Sequence, residues 1–393
     1  MGMTLSPLER NTIDVLIVGG GTMGLAIGIE LALQGAKPTI LTRNFEEAAL
    51  HAAAGMLAPQ AEQLSPGPML DLCLASRALY PDWISKLEQL TGLDAGYWPC
   101  GILAPVYEGE ESSEKRARGR ENQEQRNGEQ ISSQLENSCR MPDAFLLAHW
   151  LTGEELTARQ SGLAPKVRGA WWYPQDGQVD NQALAKVLLM AATELRIPIK
   201  THITVDQFLT TNHQVTGVAT TAGIWQADHY VLASGAWSQS LLPIPVISRK
   251  GQMLALKLEP GQAPPLNQVI FAPDVYLVPR QSERIVIGAT SEAVDFRPGN
   301  TPQGIRQLLS ATTALCPGLA DLTIEKLWWG FRPLTPDEWP ILGQGAWDNL
   351  WLATGHYRNG ILLAPITAHH ISESILKGQS VPPLTPFSYQ RFS

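Results

Sequence analysis

Gly19, Gly21 and Gly24 stand in the spacing Gly-x-Gly-x-x-Gly. Glycines so placed let a backbone turn tightly and approach a pyrophosphate, and a helix starting there aims unpaired amides and its positive dipole end at the phosphates. A second glycine-punctuated corner, Gly355 to Gly360 followed by Ile361, Leu362 and Leu363, offers another helix start to a ligand near the end of the chain. Between the two corners Arg332, in Gly330-Phe331-Arg332-Pro333, carries a planar fork of donors that matches a carboxylate. A surface arginine beside a turn accounts for that residue equally well.

The first corner gains meaning from the elements that flank it. Val15–Val18 is a short β-branched run suited to a buried parallel strand, residues 26–33 have helical spacing and stop at Gly35, and Pro38–Leu41 supplies a second strand. Together they make a βαβ unit, the context that turns a glycine pattern into a dinucleotide cradle. Gly28 adds a small face for packing the helix on the strands. The carboxylate that usually binds ribose at the end of the second strand is absent, and Thr42 and Arg43 stand there instead. This position therefore does not tell one dinucleotide from another. The run Ala52-Ala53-Ala54-Gly55-Met56 would let a planar ligand approach, but its composition favours a close helix-packing contact.

Bulk properties bound the answer. The chain has 393 residues, 44% of them hydrophobic and 17% charged, enough for two domains with a substantial core. Its formal net charge of -8 argues against generic nucleic-acid binding and for small-molecule partners. Cys73, Cys100, Cys139 and Cys316 show no paired spacing and no histidine pattern suggesting zinc, so no metal site is expected and reduced thiols in a cytoplasmic protein are. No secretory signal or membrane span is evident in the sequence.

Further along, residues 68–93 carry apolar positions at the spacing of an amphipathic helix pair. Residues 108–140 are nearly devoid of apolar side chains, the composition of a mobile surface insertion. Trp171 to Gly177 gives a strand and turn, and Asn181 is placed to cap a helix over residues 183–195. Strands at residues 251–258, 275–279 and 284–289, with few helices between them, describe an antiparallel β-rich domain inserted into the first.

Four stretches taken together resemble the flavin-dependent amine oxidases of the D-amino acid oxidase superfamily, and the glycine oxidase branch of thiamine biosynthesis in particular. They are the Gly19 to Gly24 turn, Ala52 to Met56, Ala233-Ser234-Gly235-Ala236-Trp237-Ser238, and Gly355 to Leu363. Val275-Tyr276-Leu277-Val278-Pro279-Arg280 and Gly330 to Pro333 add specificity, and the order and spacing fit nearly the whole chain. The resemblance implies a Rossmann-type FAD-binding domain, α/β, made of residues 11–84, 142–242 and 328–380. An α+β substrate-binding domain would comprise residues 85–141 and 243–327.

It also implies site residues. FAD would lie on Gly19, Gly21, Thr22, Met23, Gly24, Thr42 and Arg43, with Ala54, Gly55 and Met56 beside the flavin and a backbone contact at Val205. His356, Tyr357, Arg358, Asn359, Gly360, Ile361 and Leu362 would place amides against the flavin pyrimidine. Arg332 and Tyr276 would bind the substrate carboxylate and serve the catalysis, with Arg358 in the substrate shell. No cysteine lies beside Arg332, where related sarcosine oxidases tether their flavin, so non-covalent FAD is expected. The implied reaction is oxidation of glycine to an imine with O2 reduced to hydrogen peroxide, the imine feeding thiazole assembly through a thiazole synthase or hydrolysing to glyoxylate and ammonia. A homo-oligomer is compatible with this reading. The rivals are an oxidase or dehydrogenase of sarcosine, D-amino acids or D-proline, an NAD(P)-binding dehydrogenase, and a flavin-binding module without activity.

Overall fold

A computed structural model describes residues 14–107, 148–259 and 261–392. The charged stretch expected to form a surface insertion, 108–140, lies outside the described residues.

Val15–Val18 is buried at every position, as its apolar run requires, and sits inside a six-stranded sheet. The strand order is Ile341–Gln344, Leu350–Thr354, His229–Leu232, Val15–Val18, Pro38–Leu41, Ile199–Lys200. All pairs are parallel except the first. From Val15–Val18 the chain moves to one neighbour through the helix Thr22–Leu33, and the other neighbour arrives from far along the sequence. The strand order therefore reverses there, and ligands bind at the carboxyl ends of strands at such a switch point. Gly35, at φ 88°, ends the helix as expected.

Two glycines hold the switch point by close approach. Gly19, at φ 121°, lies so near the Ala233 carbonyl that a Cβ would overlap it, and a Cβ on Gly24 would overlap the Gly19 carbonyl oxygen. Gly28 lets the helix press on Ile17 and Ile40, with a Cβ meeting Ile40 Cδ1 at 3.1 Å. We expect Gly24→Ala to push the helix off the turn and weaken FAD binding tenfold or more, about 1.4 kcal/mol. Fluorescence titration of the apoprotein with FAD would measure it, and unchanged affinity would remove the turn from the cofactor site.

The second sheet has eight strands in the order Thr323–Leu334, Ile247–Lys257, Arg284–Gly288, Tyr276–Arg280, Val269–Phe271, Ile102–Tyr107, Val167–Tyr173, His149–Thr152. It is antiparallel apart from the pairing of Val269–Phe271 with Ile102–Tyr107. One face is covered by the amphipathic helix Pro302–Leu315, whose Leu308 and Leu315 are fully buried against Leu254, Ile285 and Ile287. The expected division gave residues 142–242 and 328–380 to the first domain, yet His149–Thr152, Val167–Tyr173 and the end of Thr323–Leu334 hydrogen-bond in this second sheet.

Three local expectations need correction. Residues 68–91 form one helix, Pro68–Thr91, with Pro81 inside it and Gly92 in the left-handed conformation as its stop. No capping or glycine signal interrupts the run, and one proline costs a single hydrogen bond that the packing of Tyr80, Ile84 and Leu87 outweighs. The cap of the helix Asn181–Glu194 is Asp180, whose side chain accepts from Gln182 N at 2.8 Å and Ala183 N at 3.2 Å. Asn181 instead donates to the Leu50 carbonyl at 2.8 Å. Finally, the C-terminal helix begins only at Ala364 (Ala364–Lys377), so residues 357–363 are a run of turns ahead of it.

Candidate active site

A cavity of about 450 Å³ runs from the glycine turn to the second sheet. Its floor is the set of strand ends of the first sheet: Val18 and Gly19, Leu41 and Thr42, Ala233, and Ala353 with Thr354. Of the residues expected to bind a cofactor, Gly19, Gly21, Thr22, Met23, Thr42, Arg43, Ala54, Gly55, Met56, Val205, His356, Tyr357, Arg358, Gly360 and Ile361 line it. Gly24, Asn359 and Leu362 do not: Gly24 is pressed against Gly19, while Asn359 and Leu362 are buried behind the wall.

The dinucleotide end is built for an anion. Gly21 is the N-cap of Thr22–Leu33, and no side chain caps it, so the first-turn amides are left to a ligand. Arg43 ion-pairs with Glu47, four residues on, and its guanidinium lies 4.9 Å from the Trp237 ring. Thr42 fills the space beside Gly20, where a Cβ would meet Thr42 Cβ at 2.8 Å.

The alanine run is not a helix contact. After the short 3-10 turn Ala49–Ala52 the backbone is extended at Ala53, residues 53–55 face the cavity, and the absence of a side chain at Gly330 makes room for Ala52. Arg280 fixes this segment from the strand that carries Tyr276. Its guanidinium is buried and donates to the Ala54 carbonyl at 2.7 Å, to the Val179 carbonyl at 3.2 Å, and to Gln178. Gly55, at φ 72°, lies against the Val179 carbonyl with no room for a Cβ.

On the opposite wall, Thr323–Leu334 and Tyr276–Arg280 bring Arg332 and Tyr276 into the same cavity. Each needs a glycine beside it. The Arg332 guanidinium occupies the space a side chain at Gly251 would take, and a Cβ on Gly288 would lie 2.5 Å from the Tyr276 hydroxyl. Arg332 donates one bond to the Thr290 carbonyl at 3.1 Å, which orients its fork without consuming it. Burial raises the Tyr276 phenol above its ordinary pKa, with Arg332 and Arg358 opposing the rise. Tyr276 therefore stays protonated at neutral pH and can donate.

The C-terminal corner supplies further donors. Among the described residues, the amides of Gly360, Ile361 and Leu362 have no hydrogen-bond acceptor, although neighbouring Asn359 N and Leu363 N bond to His356 and Asn359 carbonyls at 2.9 and 2.8 Å. The turn is held from below by Tyr80, which donates to the Ile361 carbonyl at 2.5 Å, and by Ser76, which donates to the Leu362 carbonyl at 2.6 Å. His356 is 3% exposed with Nε2 3.2 Å from Thr367 Oγ1, and burial pushes its pKa down to about 3, so the imidazole is neutral.

Sequence reasoning missed Glu62, Trp237 and Arg280. Trp237 and Arg280 lie in motifs quoted for the resemblance, but nothing in their local pattern announces a cavity. Glu62 follows the alanine run by six residues, and only the tertiary structure brings it to Arg358, 3.8 Å away.

The architecture has known counterparts. A family model described as FAD dependent oxidoreductase (DAO) matches residues 14–374. The bifunctional protein ThiO/ThiG of Trichormus variabilis is 52% identical over 383 residues, covering 97% of this chain and 55% of that protein. The chain thus spans about half the length of such curated relatives. The glycine oxidase of Geobacillus kaustophilus is 32% identical, with 96% of this chain and 97% of that protein aligned. Its crystal structure superposes with a TM-score of 0.84 at 31% identity, covering 96% of this chain and 98% of that one. A glycine-turn cradle at the switch point, uncapped helix amides and unpaired turn amides facing one cavity suit the group that names the family. The chain belongs to the FAD dependent oxidoreductases of the D-amino acid oxidase type.

Proposed function

We propose that this chain catalyses the FAD-dependent oxidation of glycine to an imine, with O2 reduced to hydrogen peroxide. The observation that carries this reading is that one cavity joins the dinucleotide cradle to Arg332 and Tyr276. The amides of Thr22 and Met23 would hold the FAD pyrophosphate, Ala54, Gly55 and Met56 would flank the flavin, and the Gly360 and Ile361 amides would face its pyrimidine edge. Bound FAD would supply the hydride acceptor and deliver the electrons to O2.

The remaining work falls to the chain. Arg332 presents a guanidinium fork to the substrate carboxylate, and the protonated Tyr276 hydroxyl donates a second hydrogen bond. Arg358, 44% exposed at the side chain, stands toward the mouth as part of the substrate shell. Fixing the carboxylate at two points orients the α-carbon, and orientation is worth several kcal/mol to a reaction that needs no strong nucleophile. Thr290 and Gly251 hold Arg332, and Arg280 holds the flavin-side wall, so neither partner must reorganise during turnover.

The free cysteines Cys73, Cys100 and Cys316 do not line the cavity, which supports non-covalent binding. Similarity to bifunctional ThiO/ThiG proteins supports hand-off of the imine to a thiazole synthase. No helix among the described residues is long and apolar enough to cross a membrane.

Peroxide release from glycine, sarcosine, D-alanine and D-proline, measured on the FAD-loaded protein without added nicotinamide, tests the reading. Glycine should give the highest kcat/KM. A protein that takes up no FAD, or one whose flavin no amino acid bleaches, would overturn it.

A further inference from the structure

Oxidation of an amino acid by hydride removal needs a nitrogen lone pair, yet glycine arrives at neutral pH as an ammonium. Its extra proton needs an acceptor, and its positive charge needs a partner beside the cationic Arg332 and Arg358. Three acids line the cavity among the described residues: Glu47, Glu62 and Asp274. Glu47 is paired with Arg43 at the dinucleotide end, and Asp274 is exposed. Glu62 differs from both. Its side chain is only 9% exposed, no hydrogen bond to its carboxylate is found among the described residues, and its nearest ion-pair partner, Arg358 Nε, is 3.8 Å away.

The backbone around Glu62 is fixed. Glu62 N donates to the Ala58 carbonyl at 3.0 Å. Asp176 accepts from Ala61 N at 2.8 Å and Gln60 N at 3.2 Å, and is itself anchored by Arg77 at 2.5 Å. A loop tied down this firmly ends in a carboxylate with almost none of its hydrogen-bonding capacity used, an arrangement that costs free energy unless a ligand completes it.

Among the described residues, Glu338 and Asp176 are the other carboxylates near Glu62, but neither lines the cavity, and the remaining titratable side chains around it are poor proton acceptors. Tyr276 is pushed above its ordinary value by burial. Cys73 is a thiol raised well above the usual range by burial and by Glu62 itself. The His356 ring is turned to Thr367. For Glu62, burial raises the pKa, Arg358 and Arg332 pull it back, and Glu338 pushes it up again, leaving it above the ordinary carboxylate value. That moves it toward the range in which a base works well.

We propose that Glu62 faces the substrate nitrogen: its carboxylate pairs with the ammonium of the bound amino acid and accepts the proton that the nitrogen sheds. The N–H bond breaks with its electron pair left on nitrogen, an O–H bond forms on Glu62, and the proton passes to water after the product leaves. The assignment rests on the glycine-oxidising reading and adds to it an acid-side recognition element for the amine.

The test is the pH profile of FAD-loaded Glu62→Gln and Glu62→Asp. In Glu62→Gln, kcat/KM for glycine should fall about 100-fold at neutral pH. The deficit should close as the pH rises and free amine becomes abundant. Glu62→Asp, which keeps a carboxylate, should retain the wild-type shape of the profile at reduced rate. Acetate binding, followed by the flavin absorbance change, should be as tight in Glu62→Gln as in wild type, because acetate has no amine. A deficit that does not vary with pH, a wild-type profile in Glu62→Gln, or loss of acetate affinity would each overturn the proposal. If the wild-type protein itself yields no peroxide from glycine at any pH, the glycine reading fails instead.

Discussion

Replacing Arg332 by alanine should lower kcat/KM for glycine by roughly 30-fold to several thousandfold, the equivalent of the 2–5 kcal/mol lost when one member of a desolvated charge pair is removed. Acetate binding should weaken in parallel, since the interaction is with the carboxylate and not with the reacting bond. Lysine should restore only part of the loss. Its ammonium cannot bond Thr290 and both carboxylate oxygens in one plane, whereas the guanidinium already spends one donor on the Thr290 carbonyl at 3.1 Å and keeps the rest. Steady-state kinetics and an acetate titration of the flavin spectrum would check the expectation. If turnover disappears while acetate still binds at wild-type strength, Arg332 does not grip the carboxylate.

How much of this site was legible in the sequence depended on the range of the interaction. The βαβ cradle could be read because its parts lie within Val15–Val18, Thr22–Leu33 and Pro38–Leu41, and Gly24 and Gly28 answer residues close to them in the chain, Gly19 and Ile40, although Gly19 itself answers the distant Ala233 carbonyl. The alanine run could not, since close packing on a helix and close packing on a cavity demand the same small side chains. Arg332 stood level with a surface arginine because what orients it is Gly251 on a partner strand, 81 positions away. Glu62 and Arg280 were invisible for the same reason: their partners Arg358 and Ala54 are 296 and 226 positions distant. Strands at 149–152 and 167–173 carry no local mark of which sheet they will join, so their place in the second sheet could not be read from the sequence. The resemblance supplied residues that spacing alone did not, but not the residues that support them.

Stability between about pH 4 and pH 6 should be nearly flat in the wild-type protein as far as two buried groups are concerned, because their contributions run in opposite directions. Burial lowers His356 to about 3, below its unfolded value of 6.5; the stability it contributes is fully present above 6.5 and drains away as pH falls toward 3. Burial also raises Asp176 to about 6 against the pull of Arg77, from 3.8 when unfolded; its contribution is fully present below 3.8 and is lost as pH rises through 6. Each changes by up to about 1.4 kcal/mol per pH unit, or on the order of 3 kcal/mol across the window. Removing one group exposes the other. Stability of His356→Asn relative to wild type should climb as pH falls from 6 to 4, whereas that of Asp176→Asn should drop over the same range. Urea unfolding of all three proteins at several pH values yields both differences, and taking differences cancels the titration of every other carboxylate. A flat difference for His356→Asn would mean that the imidazole is charged in the folded protein, and the neutral ring assigned beside the flavin turn would have to be given up.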